Sequence, residues 1–77
     1  MTRLFFHCAN ERGTLIDRTG LEFGNLTEAC ERADRFVHSL IASPSLEDWR
    51  SWVLHVSDDR GEDLFVVPFA SALSKAH

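Results

Sequence analysis

The 77-residue chain predicts an α+β fold: an antiparallel β-β-α-β-β sheet of about four strands with one amphipathic helix packed on one face. Three observations predict it. Asn10-Glu11-Arg12-Gly13, Asp17-Arg18-Thr19-Gly20 and Asp58-Asp59-Arg60-Gly61 share one turn pattern, with Asn or Asp first and Gly fourth. The segments beside these turns are short and rich in β-branched and aromatic residues, which suit a pleated, half-buried surface. From Leu26 the apolar residues recur at steps of three and four, the period of a helix with one buried side.

The first strand is read in Leu4-Phe5-Phe6-His7-Cys8-Ala9 and the second in Thr14-Leu15-Ile16. They flank a type I turn whose Asn10 side chain accepts backbone N–H groups while Gly13 takes the backbone conformation open to glycine. Gly20 and Gly61 fill the same role in the other turns. Leu21-Glu22-Phe23 is extended and makes a short additional strand. The helix places Leu26, Ala29, Cys30, Ala33, Phe36, Val37, Leu40 and Ile41 on one side, with Asn25 or Thr27 as its N-cap and Ser43-Pro44-Ser45 as its stop. Arg50 through Ser57 alternates as a strand, Asp58 to Gly61 turns, and Leu64-Phe65-Val66-Val67 returns to Pro68, a residue that belongs on an edge because it has no N–H. Ala70 to His77 adds one helical turn that uses Phe69 and Leu73, and the segment 71–77 frays. The whole is one domain, 1–77, with its ordered core at about 3–70. Strand order 2-1-3-4 makes every neighbour antiparallel; 1-2-4-3 stays open.

Composition excludes several classes. A net charge of −4, with Lys75 the single lysine, argues against nucleic-acid binding, which rests on clustered Lys and Arg. No apolar run reaches the length of a membrane span, and Met1 to His7 meets a histidine before any signal-peptide core develops. A cytoplasmic protein without a membrane partner is expected, with Cys8 and Cys30 as thiols inside the core.

Leu4-Phe5-Phe6-His7, then Asp17 with Gly20-Leu21-Glu22, the alanines Ala29 and Ala33, Trp52-Val53 through Asp58 and Gly61, and Pro68-Phe69 form an ordered set. In this order and spacing the chain resembles the short bacterial proteins grouped as domain of unknown function 6894, from about Arg3 to Ala70. The resemblance implies a shared fold and role but no activity, cofactor or catalytic residue. In that family the Phe-Phe-His start and the Asp-x-x-Gly turns are typical. A histidine at position 55 is not, which weighs against a mechanism that needs His55.

If each four-residue turn closes with a glycine bulge, Val56 faces Leu64 and Leu54 faces Val66, while His7 falls opposite Asp17. Parity then puts Leu4, Phe6, Cys8, Trp52, Leu54, Val56, Leu64 and Val66 under the helix. The far face receives Phe5, His7, Val53, His55, Phe65, Val67 and Phe69. There His7, Asp17 and His55 would suit a divalent metal or acid–base chemistry if they converge, although a His–Asp pair ending a ladder is the commoner arrangement. Cys8 is no nucleophile for His7, since strand neighbours point to opposite faces. Trp49 and Trp52 read as packing rather than as a stacking platform. Asp58, Asp59, Glu62 and Asp63 lack the spacing of a calcium loop.

No cofactor is expected. One helix covers one face of a sheet, so Phe5, Val53, Phe65, Val67 and Phe69 on the other require a cover. The function expected is a protein-interaction or regulatory module, a homodimer or the binder of another protein through that face or an edge strand. A small enzyme using His7, Asp17 and His55 is the alternative, and nucleic-acid binding ranks third.

Overall fold

The computed structural model describes residues 2–44 and 46–75. Nine extended residues, Thr2–Asn10, form β1, and Gly13–Leu15 (β2) returns along its C-terminal half. The turn between them is held by Asn10, whose Oδ1 accepts the N–H groups of Arg12 and Gly13. Leu21–Phe23 (β3) pairs with the N-terminal half of β1. Cys8 faces Leu15 and Leu4 faces Leu21, so β2 and β3 act as one strand interrupted by residues 16–20. The interruption adds two residues to the register. An even slip preserves parity, and Leu15, Leu21 and Phe23 all keep to the side of Cys8, Leu4 and Thr2.

The helix α1, Leu26–Ala42, begins where expected, with Asn25 Oδ1 accepting the Glu28 N–H at 2.9 Å. Glu28 reaches back to the Gly24 N–H, a variant of the capping box. Ser43 ends the helix by donating from both its backbone and its hydroxyl to the Leu40 carbonyl. Ala29, Ala33 and Val37 are fully buried, and these small residues let the helix lie close on the sheet. Cys30 and Leu26 are exposed, against expectation, because both fall at the margins of the apolar stripe.

Trp49–Ser51 makes a single 3-10 turn before β4, Val53–Ser57, and β5, Asp63–Pro68. The sheet runs β2-β1-β4-β5 with β3 also on β1. This is the order 2-1-3-4 of the four principal strands with the additional short strand in place, and Pro68 lies on the open edge. A helix α2, Phe69–Lys75, follows at once and is longer than the one turn anticipated. The segment 71–77 was expected to fray, but α2 runs through it to Lys75 with Ala72 buried; Ala76 and His77 lie outside the described residues.

Two registers differ from expectation. In the first hairpin Asn10 faces Gly13 and Cys8 faces Leu15, one residue off the pairing that would set His7 opposite Asp17, and Asp17 lies beyond β2. The second is that of the last hairpin. The turn places Ser57 opposite Asp63 as the glycine geometry requires, but a bulge between Val56 and Ser57 makes Leu64 an extra residue. Val56 then faces Phe65 and Leu54 faces Val67. A slip of one residue reverses a strand, so Phe65 and Val67 pack against the core and Val66 turns outward. Phe69 is fully buried. Leu64 stays on the helix side but lies half open in a cleft with Leu4, Phe23 and Leu26. The reversal follows from apolar payload: Phe65, Val67 and Phe69 bury more surface than Leu64, Val66 and Pro68 would.

The core joins Leu4, Phe6, Cys8, Leu54 and Val56 of the sheet to Ala29, Ala33 and Val37 of α1. Phe6 meets Phe36 edge-on at 5.7 Å and stacks on Phe23 at 5.9 Å. At one end Trp52 is buried against Trp49 and Phe69, so the tryptophans are packing, in a cluster that α2 completes.

Candidate functional site

The far face of the sheet carries the row Phe5, His7 and Ala9 of β1 against Ser57, His55 and Val53 of β4. The proposed apolar interaction face therefore dissolves. Phe5 and Val53 are on it, half-buried, whereas Phe65, Val67 and Phe69 belong to the helix side for the reason of register just given. Phe5 stacks parallel to the His7 ring at 6.2 Å.

His7 and His55 are cross-strand partners, so the sheet brings these two together as expected. Asp17 joins them by its backbone. Its N–H donates to His7 Nδ1 at 2.9 Å, which assigns the neutral imidazole its proton on Nε2. The lone pair that a metal or a proton acceptor needs on His7 is thus already engaged.

The Asp17 carboxylate turns away to a different task. Between β2 and β3 no strand pairs with the middle of β1, and Asp17 Oδ2 accepts the Phe6 N–H there at 3.2 Å. Oδ1 accepts from Thr19 and Gly20. Burial pushes the carboxyl pKa up, but the N–H groups of Thr19, Phe6 and Gly20 outweigh it and hold it below the ordinary value. Gly20 has φ +72°, and a Cβ on it would come within 2.9 Å of Arg3 Cγ and Phe5 Cε2. The Asp-x-x-Gly motif is a device that closes a gap in the sheet edge.

A residue missed by the sequence reading stands beside His55. Asp63 Oδ2 lies 2.9 Å from His55 Nδ1, and Asp63 Oδ1 accepts from the Ser57 hydroxyl at 2.7 Å. The hydrogen bonds from Ser57 and then His55 lower the Asp63 pKa. A carboxylate on Nδ1 assigns the neutral His55 ring its proton there and its lone pair to Nε2. The signal was available: the turn register already set Asp63 opposite Ser57, two residues from His55. Among the described residues no group of three or more His, Cys, Asp and Glu side chains is placed to hold a metal ion. Burial raises the Cys8 thiol to about 11, which leaves it protonated and unreactive.

A concave surface lies on the helix side instead. A groove of about 490 Å³ runs between α1 and the interrupted β2–β3 edge. Phe6 and Cys8 form its floor, Phe36, Leu40 and Arg32 its helical wall, and Leu15, Ile16 and Leu21 its outer wall. Leu15 and Ile16 are 64% and 58% exposed. The local reason is the gap in the edge: residues 16–20 swing out to make the Asp17 contacts, so the apolar side chains beside them are held short of α1.

Among the described residues no helix is long and apolar enough to cross a membrane. No curated protein and no solved structure matches the chain. Residues 3–70, from the start of β1 to the first turn of α2, match the family described as Domain of unknown function (DUF6894), and the chain belongs to that family.

Proposed function

We propose that the domain is a protein-interaction module of a regulatory rather than catalytic kind, a cytoplasmic homodimer that docks through the groove between α1 and the β2–β3 edge. The observation that carries this reading is the gathering of exposed Leu15, Ile16 and Leu21 around one concavity. Scattered surface leucines need no explanation, but a contiguous apolar patch rimmed by polar residues marks an interaction site. A domain this small also gains from a partner, since its own core buries a modest share of the chain's surface.

Light scattering during gel filtration at micromolar concentration tests it. The expected mass is twice the 8.7 kDa of the chain, and Ile16→Asp, which sets a charge in the groove wall, is expected to return it to the single-chain value with the fold intact. A dimer that ignores Ile16→Asp refutes the groove as the docking surface.

The rival is an acid–base or metal-dependent enzyme using His7, Asp17 and His55. Its one support is His55, whose Nδ1 contact with Asp63 leaves the lone pair of the neutral ring on Nε2. The engaged Nδ1 of His7 and the engaged carboxylate of Asp17 count against it. Uptake of less than about a tenth of an equivalent of zinc by chelator-free protein sets the metal form aside. The net charge of −4 gives no support to nucleic acid as a partner.

A further inference from the structure

We propose that His7 is a proton-operated latch on the wall of the groove: its neutral ring holds the peptide group between Ile16 and Asp17, and its protonated ring lets that group go. Two observations carry this. The first is the sense of the hydrogen bond, in which the Asp17 N–H donates to His7 Nδ1 at 2.9 Å. Only a neutral imidazole has a lone pair to accept it, because both ring nitrogens of the charged form are donors. Histidine is the side chain that ordinarily changes charge between about pH 8 and 5. Acidification through that window sets two donors against each other and breaks the bond.

The second is the position of Ile16. It borders the far-face cleft that His7, His55 and Asp63 line, and it also belongs to the outer wall of the groove on the helix side. One residue at the sheet edge thus serves both faces, and the bond that His7 controls is on the peptide group next to it. The release is local, since the Asp17 carboxylate keeps the N–H groups of Phe6, Thr19 and Gly20. Its pKa lies below the ordinary value, so it stays charged throughout the histidine window. Among the described residues, the charged and titratable groups that face His7 are that carboxylate, His55 across the strand pair and Asp63 on β5. The two carboxylates attract a charged ring, and a charged His55 repels it. His55 itself responds differently, because its Nδ1 meets a carboxylate and such a bond survives protonation. The effect on docking rests on the groove being the docking surface: a wall no longer pinned beside Ile16 is less preorganised for a partner.

NMR titration of the full chain from about pH 8 to 5 tests the latch, with hydrogen exchange at the Asp17 amide read as protection relative to the unfolded chain. The Ile16 methyl shifts are expected to follow the titration of the His7 ring, and Asp17 protection to fall about tenfold across it. His7→Asn, whose side-chain oxygen reaches the position of Nδ1 and does not titrate, is expected to keep that protection at both ends of the range. His7→Ala is expected to lack it at both. Asp17 protection that ignores the His7 titration in the wild type overturns the latch, whatever the groove does. A response that persists in His7→Asn and vanishes in His55→Gln assigns the switch to His55 and overturns it too. Light scattering at the two ends of the range separates the docking reading. A dimer that ignores Ile16→Asp refutes the groove and leaves the latch to stand on the amide data. A dimer that Ile16→Asp splits, yet whose dissociation constant is unmoved as the latch opens, overturns the control of docking and leaves the groove.

Discussion

Asp17 accepts three backbone N–H groups with one carboxylate and donates its own N–H to His7. Its folded-state pKa lies below the ordinary value of about 3.9. The stabilisation is therefore present above the unfolded pKa and lost as pH falls through the lower folded one. Urea midpoints measured at pH 7 and pH 3 are expected to fall steeply in the wild type and less in Asp17→Asn, which starts lower at neutral pH; an unchanged acid limb in the variant would remove Asp17 from this role. Gly20 and Gly61 differ in a way that separates strain from crowding. Both have positive φ, +72° and +86°, but a Cβ on Gly61 meets nothing within 4 Å whereas one on Gly20 meets Arg3, Phe5 and the Leu4 carbonyl. Chemical denaturation is expected to show Gly61→Ala costing about 1–2 kcal/mol from backbone strain alone, and Gly20→Ala costing more. The Asx–Gly turns were legible because each rests on a local contact. That His7 would meet the Asp17 backbone and not its carboxylate was not, since the choice depends on a gap in the pairing of β1.

The elements were legible where the pattern is local and failed where a single residue sets the parity. The helix, its Asn25 cap and its Ser43 stop follow from period and capping chemistry alone. On β5 the turn register held as far as Ser57–Asp63, and the bulge at Leu64 then reversed the rest. The alternation of Phe65, Val67 and Phe69 carried the correcting signal, because aromatic burial outweighs turn geometry one residue further on. The interaction face was misplaced for that reason alone. Paired substitutions check the corrected register: Phe65→Asp is expected to unfold the domain by burying a charge in the core, whereas Val66→Asp, on the exposed edge, is expected to shift the melting temperature by a few degrees at most. Equal tolerance at both positions, read by circular dichroism, would restore the unbulged pairing.

At the scale of the molecule, the sheet order was legible from antiparallel pairing and the edge position of Pro68, while the groove was not, because it arises from the two-residue slip between β2 and β3. The central position of β1 has a consequence for how the chain is made. β1 precedes its partner β4 by about fifty residues of sequence, and at roughly 5–20 residues per second of synthesis β1 waits several seconds for β4 to be made. During that interval the hairpin with β2 and the short pairing with β3 are the local means of holding Leu4, Phe6 and Cys8 out of aggregation. Closure of the Trp49–Trp52–Phe69 cluster comes last of all. Contacts of such long sequence separation also slow refolding, so in the cell the vulnerable species is the nascent chain with β1 and α1 complete and β4 not yet made.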